Sequence, residues 1–185
     1  MNPEESIDLI SRMISDTRRS VLGQSYLPFL TWGGATVVVA MLVYFLVRST
    51  GDMFSYFCWY LIPVIAWPLT CMMRPHIRLT RTGISTSLQS IWRMLTVLLI
   101  CFSVSSFFIR FNILFFILLL LSIGSYVTGA VISYPFLKYS SIAGFAISVV
   151  MLLMSDINRI PVFAAAVALM MIIPGVKMRQ DFKNL

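Results

Sequence analysis

Charged residues are nearly absent from six long apolar runs that occupy the chain from Leu27 to Val176. An ionised side chain at the centre of a bilayer costs at least about 2.5–3.5 kcal/mol, so such runs are typical of membrane-spanning helices. Only 11% of the 185 residues are charged, whereas soluble domains carry roughly 25%. The composition excludes a water-soluble globular protein and predicts an all-α integral membrane protein.

Acidic residues and histidine are scarce, which removes most kinds of catalytic chemistry. No Asp or Glu lies inside an apolar run, and His76 is the only histidine. A zinc site built on one histidine needs acids or thiols beside it, and Cys58, Cys71 and Cys101 show no paired spacing. A phosphate-binding glycine loop is also absent. We therefore expect no enzymatic activity, no cofactor, no metal site and no nucleic-acid partner.

The apolar runs predict a bundle of six spans, since an α-helix needs about 20 residues to cross a bilayer. The spans run from Leu27 to Val47, Phe54 to Met73, Ser87 to Phe108, Ile113 to Ser133, Phe136 to Met154 and Pro161 to Val176. Only Pro135 and Lys138 interrupt the junction of spans four and five, so four or five spans is the fallback count. The bundle, 27–176, is flanked by an N-terminal segment, 1–26, and a short basic cytoplasmic tail, 177–185.

Basic residues are distributed unevenly between the two sides of this bundle. With the N-terminus inside, ten Lys and Arg residues lie in cytoplasmic segments, against Arg48, Arg110 and Arg159 on the opposite side. Arg93 lies one to two turns into span three, near enough for its long side chain to reach the cytoplasmic face. Cytoplasmic loops carry the excess of basic residues, so both chain ends are predicted to be cytoplasmic.

The N-terminal segment predicts a short cytoplasmic amphipathic helix. Asn2 is a favourable N-cap, Pro3 suits the first helical position, and Glu4 and Glu5 favour the positive end of the helix dipole. Apolar residues then recur at helical spacing and form what we call the N-terminal stripe. The stripe consists of Ile7, Ile10, Met13, Ile14 and Val21.

Three surfaces are candidates to cover the N-terminal stripe: the cytoplasmic ends of the bundle itself, a protein partner or second copy, and the lipid surface. Helices that lie on anionic membranes usually have a polar face rich in Lys and Arg. Here four acidic residues accompany three arginines before Val21. This near-neutral balance argues against lipid electrostatics as the main attraction.

The segment from Arg74 to Thr86 is the only internal connection of any size, and it carries no acid. Its arginines, Arg74, Arg78 and Arg81, agree with the positive-inside rule and with contact to lipid head groups. The alternative is a site for an anionic ligand or a lipid phosphate that Arg93 completes. A basic cluster alone does not distinguish these two interpretations.

Small residues predict how spans four and five pack. Ser125 and Gly129 share one face of span four, and Ser140, Gly144 and Ser148 repeat every four residues along span five. Small residues let helix backbones approach closely, which is how apolar helices associate inside a bilayer. We expect this helix-packing face to be used within the chain, with homodimerisation through it as the alternative.

The first 35 residues carry a resemblance to a known group of proteins. The run Asn2-Pro3-Glu4-Glu5-Ser6, the apolar residues that follow it and Trp32-Gly33-Gly34 early in span one resemble uncharacterised small membrane proteins of Bacteroidota. The resemblance implies a bacterial inner membrane. It carries over no functional residue, because those proteins have no assigned activity. Some of them accompany winged-helix regulators, which implies a regulatory role.

Two functional hypotheses follow from these patterns. In the first, the chain is a non-enzymatic interaction or regulatory subunit, embedded in the lipid bilayer, that docks a protein partner or a second copy through the N-terminal stripe. In the second, it is a small uncoupled transporter or a lipid-handling protein, in which Arg74, Arg78, Arg81 and Arg93 meet an anionic group. Ion-coupled transport is not expected, because such carriers place an acid or a histidine at membrane depth.

Overall fold

Helices make up nearly all of the computed structural model, which describes the backbone of residues 3–51, 53–73, 83–106, 108–109, 111–154 and 156–184. Side chains are described from residue 22 onward within these ranges, except at 24, 53, 84 and 156. The α-helices are α1 (Pro3–Thr50), α2 (Leu61–Met72), α3 (Gly83–Ser105), α4 (Ile113–Val131), α5 (Pro135–Val150), α6 (Asp156–Val167) and α7 (Ile173–Asn184). Short 3₁₀ helices, Met53–Tyr60 and Met151–Leu153, precede α2 and follow α5, and a π-helical turn, Ala168–Ile172, joins α6 to α7. The described residues form no strand.

Six of these helical segments are long and apolar enough to cross a membrane, in agreement with the predicted count. They are Ser25–Thr50, Phe54–Met72, Ser85–Ser105, Ile113–Val131, Pro135–Leu153 and Ile157–Asn184. The first five begin and end within about three residues of the predicted spans, which is the usual error of sequence-based boundaries. Insertion into a membrane stays a prediction.

Helix α1 is longer than the first predicted span, because the helical backbone runs without a break from Pro3 to Thr50. Its 48 residues rise about 72 Å, more than twice the thickness of a bilayer core. Pro28 lies inside this helix, where it leaves the carbonyl of Gln24 without its usual intrahelical donor. The backbone of the N-terminal stripe is therefore part of α1. Its amphipathic character stays a prediction, since the side chains of 3–21 lie outside the described ones.

The sixth span continues beyond its predicted end at Val176, through the residues that were expected to form a tail. Helix α7 extends to Asn184 and buries Pro174, Gly175 and Met178. Charged residues after Val176 marked the end of the apolar run in the sequence. The helix continues because one of its faces packs against α1, and this contact is independent of the charges on the opposite face.

The centre of the bundle is formed by α1, α4, α5 and the α6–α7 segment. Helices α4 and α5 form an antiparallel hairpin, and α1 packs along α6 and α7. Val43, Leu118, Leu137, Phe163 and Met170 are completely buried where these elements meet. The remaining helices are peripheral: α2 packs on α1, and α3 packs mainly on α4.

The hairpin between α4 and α5 explains the weak sequence signal at this junction. Helix α4 ends at Val131, Ser133 adopts a positive φ of 52°, and α5 begins at Pro135. The Tyr134 amide donates to the Gly129 carbonyl at 2.8 Å and closes the turn. A three-residue turn needs no run of polar residues, so the apolar pattern continues almost without interruption.

Adjacent glycines in α1 give a matched test of this packing. A Cβ at Gly33 would lie 2.9 Å from the Cβ of Met171, whereas a Cβ at Gly34 would have no atom within 4 Å. We expect Gly33→Ala to lower the free energy of unfolding in detergent by about 1–3 kcal/mol, because neither Cβ can rotate away. The control Gly34→Ala should be neutral or slightly stabilising, because Ala has the higher helix propensity. Equal effects of the two substitutions would contradict the α1 packing described above.

Candidate functional site

The register of the contact between α1 and α7 determines which residues of each helix extend beyond the end of the other. The two helices are antiparallel: Gly33 lies against Met171, and Tyr26 lies against Phe182 with ring centroids 5.7 Å apart. At an intermediate level, a Cβ on Gly175 would lie 3.1 Å from the Leu30 side chain. This register places Asn184, the last residue of α7, level with about Ser25.

Helix α1 therefore continues past the end of its main partner. The 19 residues from 3 to 21 are helical and correspond to a rise of about 28 Å. They contain the whole N-terminal stripe: Ile7, Ile10, Met13, Ile14 and Val21. The side chains of the stripe lie outside the described ones, so what they contact stays a prediction.

The base of this extension is firmly packed. Leu22 and Phe29 are buried in the core, and Met178 of α7 is completely buried with them. The Phe29 ring also meets Trp92 of α3 edge-on, with centroids 5.9 Å apart. Apolar contacts from two other helices thus hold α1 at the point where the extension begins.

A hydrogen bond ties the end of α7 to the α4–α5 turn. The Tyr134 hydroxyl donates to Asp181 Oδ2 at 2.6 Å, and Tyr134 itself is buried. Lys177 lies over the Phe136 ring, with its Nζ 4.3 Å from the centroid. A hydrogen bond to an ionised acceptor is stronger than one between neutral groups. These contacts connect the base of the α1 extension, the α4–α5 turn and the end of α7. We call this assembly, which includes Leu22, Tyr134, Lys177 and Asp181, the basic end.

Sequence reasoning did not identify Asp181 as part of this assembly. One signal was present: Asp181 is the only acid among the basic residues of the segment 177–185. The partner could not be inferred, because Tyr134 lies 47 positions away along the chain. Only the antiparallel hairpin and the extension of α7 bring the two groups together.

The π turn is the place where the four central helical segments converge. A Cβ on Gly144 of α5 would lie 2.8 Å from Met170 Sδ, and the Ser122 hydroxyl oxygen of α4 lies 3.3 Å from the same sulfur. Gly33 of α1 approaches the neighbouring Met171 from the other side. π-helical turns often occur at functional sites. Here, residues of the turn contact both α1 and the α4–α5 hairpin.

The predicted helix-packing face is buried within the chain. Ser125, Gly129, Ser140, Gly144 and Ser148 are all buried. A Cβ on Gly129 would lie 3.0 Å from the Lys138 backbone nitrogen, so α4 and α5 approach each other closely at this point. The Ser140 and Ser148 hydroxyls donate to carbonyls of their own helix at 3.1 and 2.7 Å. In the described part of the structure, the buried Ser125 hydroxyl has no hydrogen-bond partner.

The predicted anion site cannot be placed, because Arg74, Arg78 and Arg81 lie outside the described residues. Arg93 is described: it is exposed on α3, and its Nη2 donates to the Ser90 hydroxyl at 3.1 Å. Convergence of these four arginines therefore stays a prediction. Among the described residues, no group of three His, Cys, Asp or Glu side chains is close enough to hold a metal ion.

Removing the Tyr134 hydroxyl should loosen the end of α7. We expect Tyr134→Phe to lower the free energy of unfolding by about 1.5–3 kcal/mol, because it removes a hydrogen bond to a carboxylate. Backbone amides of 177–184 should also exchange faster with deuterium. Tyr139→Phe is the control, because Tyr139 is exposed on the same helical hairpin. If amide exchange stays unchanged in Tyr134→Phe, the hydrogen bond does not hold α7.

Comparison with known proteins offers no relative from which a role could be transferred. No protein-family model, curated protein or solved structure matches the chain. The functional argument therefore depends on the helical extension of α1 and on the contacts at its base.

Proposed function

We propose that this protein is a non-enzymatic interaction or regulatory subunit of the bacterial inner membrane, and that it docks a cytoplasmic protein partner through the N-terminal stripe. The observation that carries the proposal is the helical extension of α1. By the α1–α7 register, residues 3–21 continue beyond the end of α7. The extension is long enough to present several turns of helix to a partner, as in recognition of an amphipathic helix by an apolar groove.

The continuity of α1 supports a regulatory role for such docking. The same helix that carries the stripe reaches the π turn through Gly33 and runs on to Thr50. An axial shift or rotation imposed on the extension would therefore act directly on the packed contacts around Met171. Packed interfaces tend to have discrete arrangements rather than to deform continuously. A partner at the stripe would thus favour one arrangement of the bundle.

The charge balance of the extension favours a protein partner over an anionic lipid surface. Glu4, Glu5, Asp8 and Asp16 offset three arginines before Val21. A lipid-binding helix gains much of its affinity from a basic face. A near-neutral amphipathic helix instead suits an apolar groove with a mixed polar rim, the usual composition of protein interfaces.

The alternative, a small uncoupled transporter or lipid-handling protein, has less support from the described residues. The central contacts around Met170 are close, with Ser122 and Gly144 against its sulfur. Phe163, Leu118 and Val167 are fully buried nearby. Close packing at this level of the described bundle supports the subunit hypothesis over passage of a solute between these helices.

Two acidic substitutions in the N-terminal stripe test the docking proposal. We expect Ile10→Asp combined with Ile14→Asp to reduce partner or self-association at least about tenfold, because charges replace the apolar contact face. Association is measured by crosslinking and affinity purification from native membranes, with mass spectrometry of the co-purifying proteins. A chain that lacks residues 1–16 should behave in the same way.

The control is Arg12→Asp, because helical spacing predicts Arg12 on the face opposite the N-terminal stripe. It lowers the net charge by two, as the double Ile substitution does, but leaves the stripe intact. Association should persist in this variant. If the double Ile variant keeps its partner, the N-terminal stripe is not the docking surface. If Arg12→Asp loses the partner equally, attraction through charge replaces apolar docking as the explanation.

Reporter fusions test the proposed orientation. We expect alkaline phosphatase to be inactive when fused after Leu185 or inserted at Ser133, and active when inserted after Gly51. This enzyme needs disulfides that form only outside the cytoplasm of bacteria. Activity at Leu185 would reverse the orientation and place the N-terminal stripe outside the cell.

A further inference from the structure

An apolar groove lies between α1 and α2, and Leu30, which also contacts Gly175 of α7, forms part of its wall. Its volume is about 230 Å³, and it is partly open to the surroundings. The walls of the groove are formed by Leu30, Gly34, Ala35 and Val38 on α1 and by Ile65 and Leu69 on α2. Both helices belong to candidate membrane spans, so the groove faces the bilayer wherever these spans are inserted.

The groove lies where α2 packs on α1 through small residues. Ala66 is the buried residue of α2, and Pro68 lies inside this helix, where it removes one regular hydrogen bond. On the α1 side, Gly34 contributes no side chain, and a Cβ there would meet no atom within 4 Å. Gly33 is explained by its contact with Met171, whereas Gly34 forms an open floor that packing among the described residues does not use.

The hydroxyl groups beside the groove already have hydrogen-bond partners within the protein. The Thr31 hydroxyl lies 2.7 Å from the Thr70 hydroxyl and 3.0 Å from the Leu27 carbonyl. The Thr70 hydroxyl in turn donates to the Ala66 carbonyl at 2.6 Å. Because these bonds use the polar atoms of Thr31 and Thr70, the surface that faces the groove is almost entirely hydrocarbon. A polar or charged ligand would therefore lose its own hydrogen bonds without replacement.

The shape of the groove points to an extended hydrocarbon chain. From Leu30 to Val38 the helix rises about 12 Å, so the groove is elongated along the spans, as the acyl chains of a bilayer are. The volume is larger than that of a cavity of about 150 Å³ that holds a single benzene ring.

We propose that the groove between α1 and α2 is a binding site for one acyl chain of a bilayer phospholipid. The chain lies against both walls and the Gly34 floor, so it gains dispersion contacts on two or three sides. A lipid on an ordinary convex helix face gains contacts on one side only. This site is independent of the docking proposal, because it uses neither the N-terminal stripe nor the basic end.

Photolabelling tests the site directly. The purified full-length protein is placed in vesicles of phosphatidylethanolamine and phosphatidylglycerol, with a trace of a phospholipid that carries a diazirine in one acyl chain. After irradiation, mass spectrometry compares labelling of 30–38 and 65–69 with labelling of the exposed α3 residues Met94, Val97 and Ile100. We expect at least about threefold more label per residue in the groove, because contacts on several sides prolong residence.

Filling the groove provides the second arm of the experiment. Gly34→Leu should reduce groove labelling to the level of the α3 face, whereas Ala165→Leu, a substitution of an exposed residue on α6, should leave it unchanged. Equal labelling of the groove and the α3 face in the unmodified protein would overturn the proposal, whatever the variants do. Low groove labelling in a chain that crosslinks as a dimer would overturn it too, since a side chain of a second copy would then occupy the groove.

Discussion

The close antiparallel contact between α1 and the C-terminal helical segment is the constraint on which the rest of the bundle depends. Between apolar helices in lipid, water contributes no driving force, so association depends on how closely the surfaces fit. Gly33 allows this fit, since any Cβ there would collide with Met171. The α4–α5 hairpin reaches the same turn through Gly144. The peripheral helices α2 and α3 then pack on a core that is already complete.

Much of this architecture could be predicted from the sequence, because long apolar runs leave few choices of local structure. Apolar runs of about 20 residues are typical of spanning helices, and the six predicted runs coincide closely with six long apolar helical segments of the structure. Small residues at a spacing of four identified Ser140, Gly144 and Ser148, which are buried. These signals are local. Each depends on the residues of one helix and on the general requirements for helices that lie in a bilayer or pack closely there.

The features that escaped prediction depend on contacts between distant parts of the chain. Helix α7 continues past Val176 because its buried face finds α1, and Asp181 is positioned by Tyr134 from another helix. Charges that usually end an apolar run are tolerated where the opposite face of the helix remains packed. The candidate site was predicted less completely than the fold. Its stripe followed from helical spacing, whereas the packed base of the extension required the register between α1 and α7.

The π turn at Ala168–Ile172 also affects how this chain tolerates changes in length. In an α-helix, removing one residue rotates every later side chain by about 100° and would turn the buried face of α7 away from α1. A π turn contains one residue more than the α-helical path requires. A deletion within 168–172 can therefore convert the turn into regular α-helix while the faces on both sides keep their alignment. A change in length at this turn would therefore preserve the register between α1 and α7, on which the packing of both chain ends depends.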